Sequence, residues 1–186
     1  MLVGRLVNLI PLSQDLAQKI MMWRNRPEVY DSLFNHRFIT PELQQEWYNK
    51  VIHDDTKIIT VIEEKANSNP VGMTALNNID YLHRTAESSF FIGEESCRGK
   101  GYAYEAEYLK IKYGFENLNL NKIYAYVLIS NIKSANLHKK LGFYLEGTLR
   151  NHVFHRGSYE DVLMYGLLAN EYEAKKQMLE KGIKKV

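Results

Sequence analysis

A single cysteine, Cys97, stands among the 186 residues, which excludes an intramolecular disulfide and a zinc site built on cysteines and points to a reducing compartment. Only four prolines occur, and no Pro/Gly/Ser-rich linker, internal repeat or low-complexity stretch divides the chain. With 45% hydrophobic residues it has enough material for one sizeable core, so one domain over residues 1–186 is expected. Neither sign of charge dominates: the net charge is +2, too small an excess to argue for nucleic acid. No apolar run approaches the ~18 residues of a membrane helix, and Met1 to Arg5 lacks the apolar core of a signal peptide, so a cytoplasmic chain without a membrane partner is expected. His152 and His155 have no carboxylate at ligand spacing, so no metal is expected.

What the chain does have is a glycine-rich turn, Arg98-Gly99-Lys100-Gly101-Tyr102-Ala103, between a short apolar strand and a long amphipathic segment. Glycine suits a backbone that bulky oxygens must approach, and the first N–H groups of a helix lack intrahelical partners and carry the positive end of its dipole. Such a turn binds phosphate, with Arg98 and Lys100 adding cations. A dinucleotide fingerprint would need Gly or Ala where Tyr104 stands. In a Walker loop four residues, not five, would separate the first glycine from the next, and Ser or Thr would follow Lys100.

Around the turn, patterning predicts alternating elements. Helices are expected from about Leu16 to Arg24, from Pro41 behind a Thr40 cap with Leu43, Trp47 and Val51 on one face, from Tyr102 to about Glu116, and from Ser134 to Leu141. Strands are expected over 57–63, 71–76, 87–92, 122–129, 143–150 and 159–168, with a charged helix at the end. Residues 77–84 read as a loop, and His53-Asp54-Asp55 as a polar loop. The strands either side of the glycine turn form a βαβ crossover and should be parallel neighbours.

Arg98, Gly101 and Ala103, read as R-x-x-G-x-A, resemble the acyl-CoA pyrophosphate loop of the GNAT acetyltransferases. Downstream, Asn131-Ile132-Lys133-Ser134, His138, Lys140, Leu141-Gly142-Phe143, Glu146-Gly147, Arg150 and Asp161 resemble the RimJ/RimL branch of that superfamily. The resemblance implies an α/β (α+β) fold: a mixed, mostly antiparallel sheet with flanking helices and a parallel βαβ pair that splays to admit the pantetheine arm. It implies acetyl-CoA as cosubstrate, transfer to a primary amine, and a family whose members often form dimers. A CoA-binding regulatory module without catalysis is the non-enzyme alternative.

Amide formation needs a base for the acceptor's proton, a donor for the oxyanion and a proton for the leaving thiolate. Glu87, which resembles the acid of the family's A-E-x-x-x-x-I stretch, is the candidate base, and a backbone N–H near Phe91 or Ile92 the candidate oxyanion donor. Many GNAT proteins place a Tyr where this chain has His138, whose imidazolium would be the general acid. Gly99, Lys100, Gly101, Tyr102, Ala103 and Lys140 join Arg98 as cofactor-binding candidates. The resemblance gives Asn131 a bond to pantetheine or to the following helix, with Ser134 as that helix's cap.

For the acceptor, Trp23-Arg24-Asn25-Arg26-Pro27-Glu28-Val29, with Trp47 and Glu146 to Arg150, resembles the amino-sugar nucleotide N-acetyltransferases of the pseudaminic acid pathway. In that reading Arg24, Arg26 and Arg37 pair with a diphosphate of a UDP-4-amino-sugar, and Trp23 or Trp47 stacks on its uracil. His83-Arg84-Thr85-Ala86-Glu87 and Tyr113-Gly114-Phe115 instead resemble spermidine acetyltransferases, and a protein N-terminus is a third acceptor.

Overall fold

The computed structural model describes residues 1–35 and 37–185, with no account of the side chains of residues 184 and 185. Eight strands form one sheet in the order β1-β2-β3-β4-β5-β6-β8-β7. They are β1 (Leu2–Val3), β2 (Val7–Pro11), β3 (Ile58–Glu64), β4 (Asn69–Asp80), β5 (Thr85–Ile92), β6 (Lys122–Leu128), β7 (Tyr144–His155) and β8 (Ser158–Leu168). Every neighbouring pair is antiparallel except β5 and β6, which are parallel as the crossover requires. The helices are α1 (Gln14–Arg24), α2 (Pro27–Tyr30), α3 (Pro41–Val51), α4 (Tyr102–Glu116), α5 (Ile132–Lys140) and α6 (Ala169–Lys185).

Strand alternation divides the core between the two faces of the sheet. Ile62 of β3 and Ile92 of β5 pack with Val7, Leu9, Tyr102 and Ala106 on the face covered by α4. Their neighbours Val61 and Phe91 pack with Ile20 and Trp23 of α1, and with Trp47 of α3, on the other. A larger cluster joins α4, α5 and α6 to the centre of the sheet through Ile111, Ala135, Leu141, Tyr165 and Tyr172.

Thr40 caps α3 through its side chain, with Pro41 in the first turn, as the sequence pattern predicts. Differences cluster where single residues override the pattern. Beyond the helix expected to end near Arg24, Pro27 opens the short α2, because its fixed φ suits a first turn. Residues 77–80, expected as loop, continue β4 across a bulge between Asn77 and Asp80, where Asn78 takes φ 48°, a conformation Asn tolerates. The N-terminal β2, whose burial alternates, is a strand that a search for long apolar runs passes over. Among the described residues no helix is long and apolar enough to cross a membrane.

Candidate active site

The parallel pair separates. β5 and β6 are in register only at Thr85–Lys122, Ala86–Ile123 and Glu87–Tyr124, whereas β6 stays paired with β8 along its whole length. From Ser88 to Ile92, β5 is held by β4 alone. A gap therefore opens between the C-terminal halves of β5 and β6, beside the N-terminus of α4.

Two glycines shape that N-terminus. Gly99 and Gly101 take φ 79° and 80°, the left-handed region that a side chain disfavours. A Cβ at Gly99 would meet nothing within 4 Å, so conformation rather than space selects glycine there. Gly101 is the N-cap of α4 and supplies no side-chain cap, which leaves the first N–H groups, from Tyr102 and Ala103 on, for an anion. Lys100 is exposed beside them. The Arg98 guanidinium, expected as a phosphate ligand, donates to the carbonyls of Glu28, at 3.1 Å, and Ile92, at 3.4 Å, tying α2 to the end of β5. The Tyr102 side chain turns into the core, its ring buried with Val7 and Leu9 and its hydroxyl donating to Glu64, which pushes its pKa up to about 12, so Tyr102 offers an anion only its backbone N–H.

The candidate catalytic groups lie on opposite faces of β5. Glu87 shares the face of Phe91, towards α1, at the last residue paired with β6, and Asn78 Nδ2 donates to its carboxylate at 2.9 Å. Ser88, Phe90 and Ile92 share the α4 face: Ser88 bonds α4 and the Phe90 ring lies 5.8 Å from His138 of α5. The backbone alternates as well. Gly93 N–H donates to Val71 at 2.8 Å, so by antiparallel alternation Phe91 also donates towards β4, while Phe90 and Ile92 aim their N–H groups at the gap. Of the two expected oxyanion donors, Ile92 therefore fits and Phe91 does not.

His138 differs from the expected imidazolium. It is 2% exposed, stacked on Tyr165 and edge-on to Phe143. Nδ1 lies 2.9 Å from the Ser134 carbonyl, which can only accept, so Nδ1 carries the hydrogen. Burial is the main cause holding its pKa below the ordinary value, and Lys110 acts the same way against the opposing pull of Glu107 and the Ser134 bond. The ring is neutral at pH 7, Nε2 bears the lone pair, and this buried atom has no partner within the protein. It has no proton to donate in this state.

A stability consequence follows. The unfolded chain takes up the imidazole proton first, so the stabilisation from the neutral ring is complete above about pH 6.5 and is lost as pH falls below it, at up to ~1.4 kcal/mol per pH unit until the folded pKa is reached. Urea unfolding between pH 7.5 and pH 5 should show this slope flatten by that amount in His138→Phe, and equal slopes in the two proteins would refute it.

The remaining candidates separate into structural and exposed positions. Asn131, not Ser134, caps α5: its Oδ1 accepts from the Ser134 N–H at 3.1 Å. Lys140 is exposed in the last turn. Trp23 is fully buried and donates through Nε1 to Glu94 at 2.7 Å, so it cannot stack on a base. Arg26 donates to the Gly93 carbonyl and pairs with Glu94 at 3.4 Å. Trp23 and Arg26 both hold the Glu94 carboxyl below its usual range, Trp23 more strongly. Arg24 is half-buried, with desolvation lowering its pKa, Trp47 packs against the α1 cluster, and Arg37 is exposed between α2 and α3.

Buried charge on α4 is what the sequence pattern missed. Glu107 is 0% exposed and Lys110 4%; they pair at 2.7 Å, with Thr74 and Ser88 donating to the carboxylate and Lys110 donating to Ser88 Oγ and the Ser89 carbonyl. Glu105, 2% exposed, accepts the N–H groups of Arg5, Leu6 and Val7. The signal available was a Glu and a Lys three apart inside an apolar helix. Among the described residues no cluster of His, Cys, Asp or Glu could hold a metal.

Residues 7–144 match the family described as acetyltransferase (GNAT) domain. The chain is 38% identical over 128 residues to the spermidine N(1)-acetyltransferase of Vibrio cholerae, covering 69% of this chain and 73% of that one. It is 35% identical over 105 residues to a putative ribosomal N-acetyltransferase of Bacillus subtilis, covering 56% of this chain and 57% of that protein. Its fold superposes with TM-score 0.86 and 30% identity on the crystal structure of the Vibrio cholerae spermidine N-acetyltransferase in complex with CoA and spermine, covering 91% of this chain and 99% of that one.

Proposed function

We propose that this chain, which belongs to the acetyltransferase (GNAT) domain family and is an acetyl-CoA-dependent N-acyltransferase, acts as a single domain that acetylates a primary amine of a polyamine. The observation that carries the acceptor over an amino-sugar nucleotide is the fate of Trp23 and Arg26. Both are held by Glu94, so Trp23 is not available to stack on a uracil and Arg26 is already paired, which leaves a sugar nucleotide only Trp47, Arg24 and Arg37 of the residues expected to bind it. Arg156 is likewise paired, with Asp31. The named relatives that act on spermidine agree with this choice.

The site fits acetyl-CoA on three observations: an uncapped α4 N-terminus behind two left-handed glycines, a β5 edge with N–H groups aimed into the gap, and an orphaned acceptor at His138 Nε2. When bound, acetyl-CoA supplies a thioester whose acyl group can pass to an amine. The α4 N–H groups and Lys100 hold its pyrophosphate. Ile92 N–H meets the carbonyl oxygen as negative charge gathers there. Glu87, on the opposite face of β5, takes the acceptor's proton directly or through one water.

Thiol release with acetyl-CoA and a panel of spermidine, spermine, a UDP-4-amino-sugar and N-terminal peptides tests the acceptor. The expected result is a kcat/KM for a polyamine at least about tenfold above every other acceptor, a difference of about 1.4 kcal/mol in transition-state binding. A sugar nucleotide as the best acceptor would overturn the reading.

A further inference from the structure

The Nε2 atom of His138 is a buried acceptor with nothing to accept from. An unmade hydrogen bond of this kind costs about 1–3 kcal/mol, so an atom so placed takes its hydrogen bond from a ligand or an ordered water. Three rings enclose the imidazole. Phe143 and Tyr165 are 4% and 1% exposed and lie within the core, whereas Phe90 is only part-buried and belongs to the strand edge that lines the gap. The approach to Nε2 therefore runs past Phe90 from the gap. A neutral imidazole with Nδ1 committed to the Ser134 carbonyl can offer only a lone pair at Nε2. The arm of CoA carries amide N–H groups, and free CoA ends in a thiol S–H.

We propose that His138 is a cofactor-binding residue whose Nε2 accepts a hydrogen bond from a donor on the pantetheine arm of CoA, and that it is not the general acid. The charged and titratable groups around it suit this role. Glu107 and Lys110 of α4 act on the ring with opposing signs, Tyr165 of β8 lies flat against it, and Ser134 of its own helix fixes the tautomer. The β5 and Phe143 sides contribute only aromatic rings. Protonation at low pH would turn Nε2 into a donor and remove the acceptor.

Calorimetric titration without acceptor isolates this contact from the identity of the amine substrate. The ligands are CoA, acetyl-CoA and 3′-phospho-ADP, which carries the phosphates but no arm. His138→Phe, which keeps a ring in the aromatic cage, should weaken CoA and acetyl-CoA about tenfold and leave 3′-phospho-ADP within twofold, the size expected for a lost buried hydrogen bond. His138→Gln, whose amide oxygen is an acceptor at every pH, should retain more of the affinity than Phe. The native protein should bind CoA more weakly as the imidazole takes up a proton at low pH, and His138→Gln should lose that weakening. Loss with both thioester and thiol identifies an amide N–H as the donor; loss with CoA alone identifies the S–H. In turnover, KM for acetyl-CoA should rise with the dissociation constant. Unchanged CoA affinity in both variants, or a fall in kcat of a hundredfold with KM constant, would overturn the proposal.

Discussion

Glu87→Gln is expected to lower kcat by about a hundredfold or more, within the range that a positioned general base contributes, with KM for acetyl-CoA little changed. The substitution keeps the shape and an oxygen for Asn78 Nδ2, so the bulge in β4 and the start of the gap keep their support. What it removes is the lone-pair basicity at the last residue of β5 paired with β6, on the face away from His138. Glu87 is the acidic side chain on the α1 side of β5, at the closed end of the gap. The measurement is the pH profile of kcat/KM with the best acceptor. The value should fall in parallel with kcat across the pH range while urea unfolding stays within about 1 kcal/mol of native. A kcat within threefold of native at every pH would remove Glu87 from the chemistry.

Glu107→Ala is expected to destabilise the fold by about 3–5 kcal/mol, the effect of leaving one buried charge without its partner. Lys110 is 4% exposed, and burial already lowers its pKa against the pull of Glu107. Removing the carboxylate strands the ammonium and leaves the hydroxyls of Thr74 and Ser88 without their acceptor. Those hydroxyls belong to β4 and β5, so the pair fastens α4 to both strands where the gap opens. Replacing Glu107 and Lys110 together by Met should cost far less than Glu107→Ala, because the desolvation of two ions then disappears along with their attraction. Urea denaturation of the single and double variants decides this, and equal losses in the two would contradict it.

The elements that place the site follow local rules, and these were legible. The crossover between β5 and β6, the glycine turn and α4 can be read from Gly99, Gly101 and the apolar stripe of the helix, because each depends on residues close in sequence. Side-chain roles were less legible because partners lie far along the chain. Arg98 looks like a phosphate ligand until Glu28, 70 residues away, supplies its carbonyl. Trp23 looks like a stacking surface until Glu94 supplies an acceptor 71 residues on. His138 resembles a proton donor by position, yet the rings of Phe90, Phe143 and Tyr165 decide its protonation, and they come from two strands and the segment after α5. The amino-sugar expectation lost two of its residues for the same reason: beside Arg24, Arg37 and Trp47 it rested on Trp23 and Arg26, whose pairing with Glu94 no local pattern reveals.

The same physics explains why Glu105, Glu107 and Lys110 escaped notice. A charged residue on a helix is read as solvent-facing unless a partner is known, and here the partners are backbone N–H groups at the N-terminus and hydroxyls on β4 and β5.

The central claim is that CoA enters between β5 and β6 with its pyrophosphate on the glycine turn. A crystal structure of the chain with CoA tests it directly. The account predicts phosphate oxygens within hydrogen-bonding distance of the first N–H groups of α4, and the arm running between Ile92 and the end of β6 past Phe90. An arm lying outside that gap, or a pyrophosphate held away from Gly99 to Ala103, would contradict it.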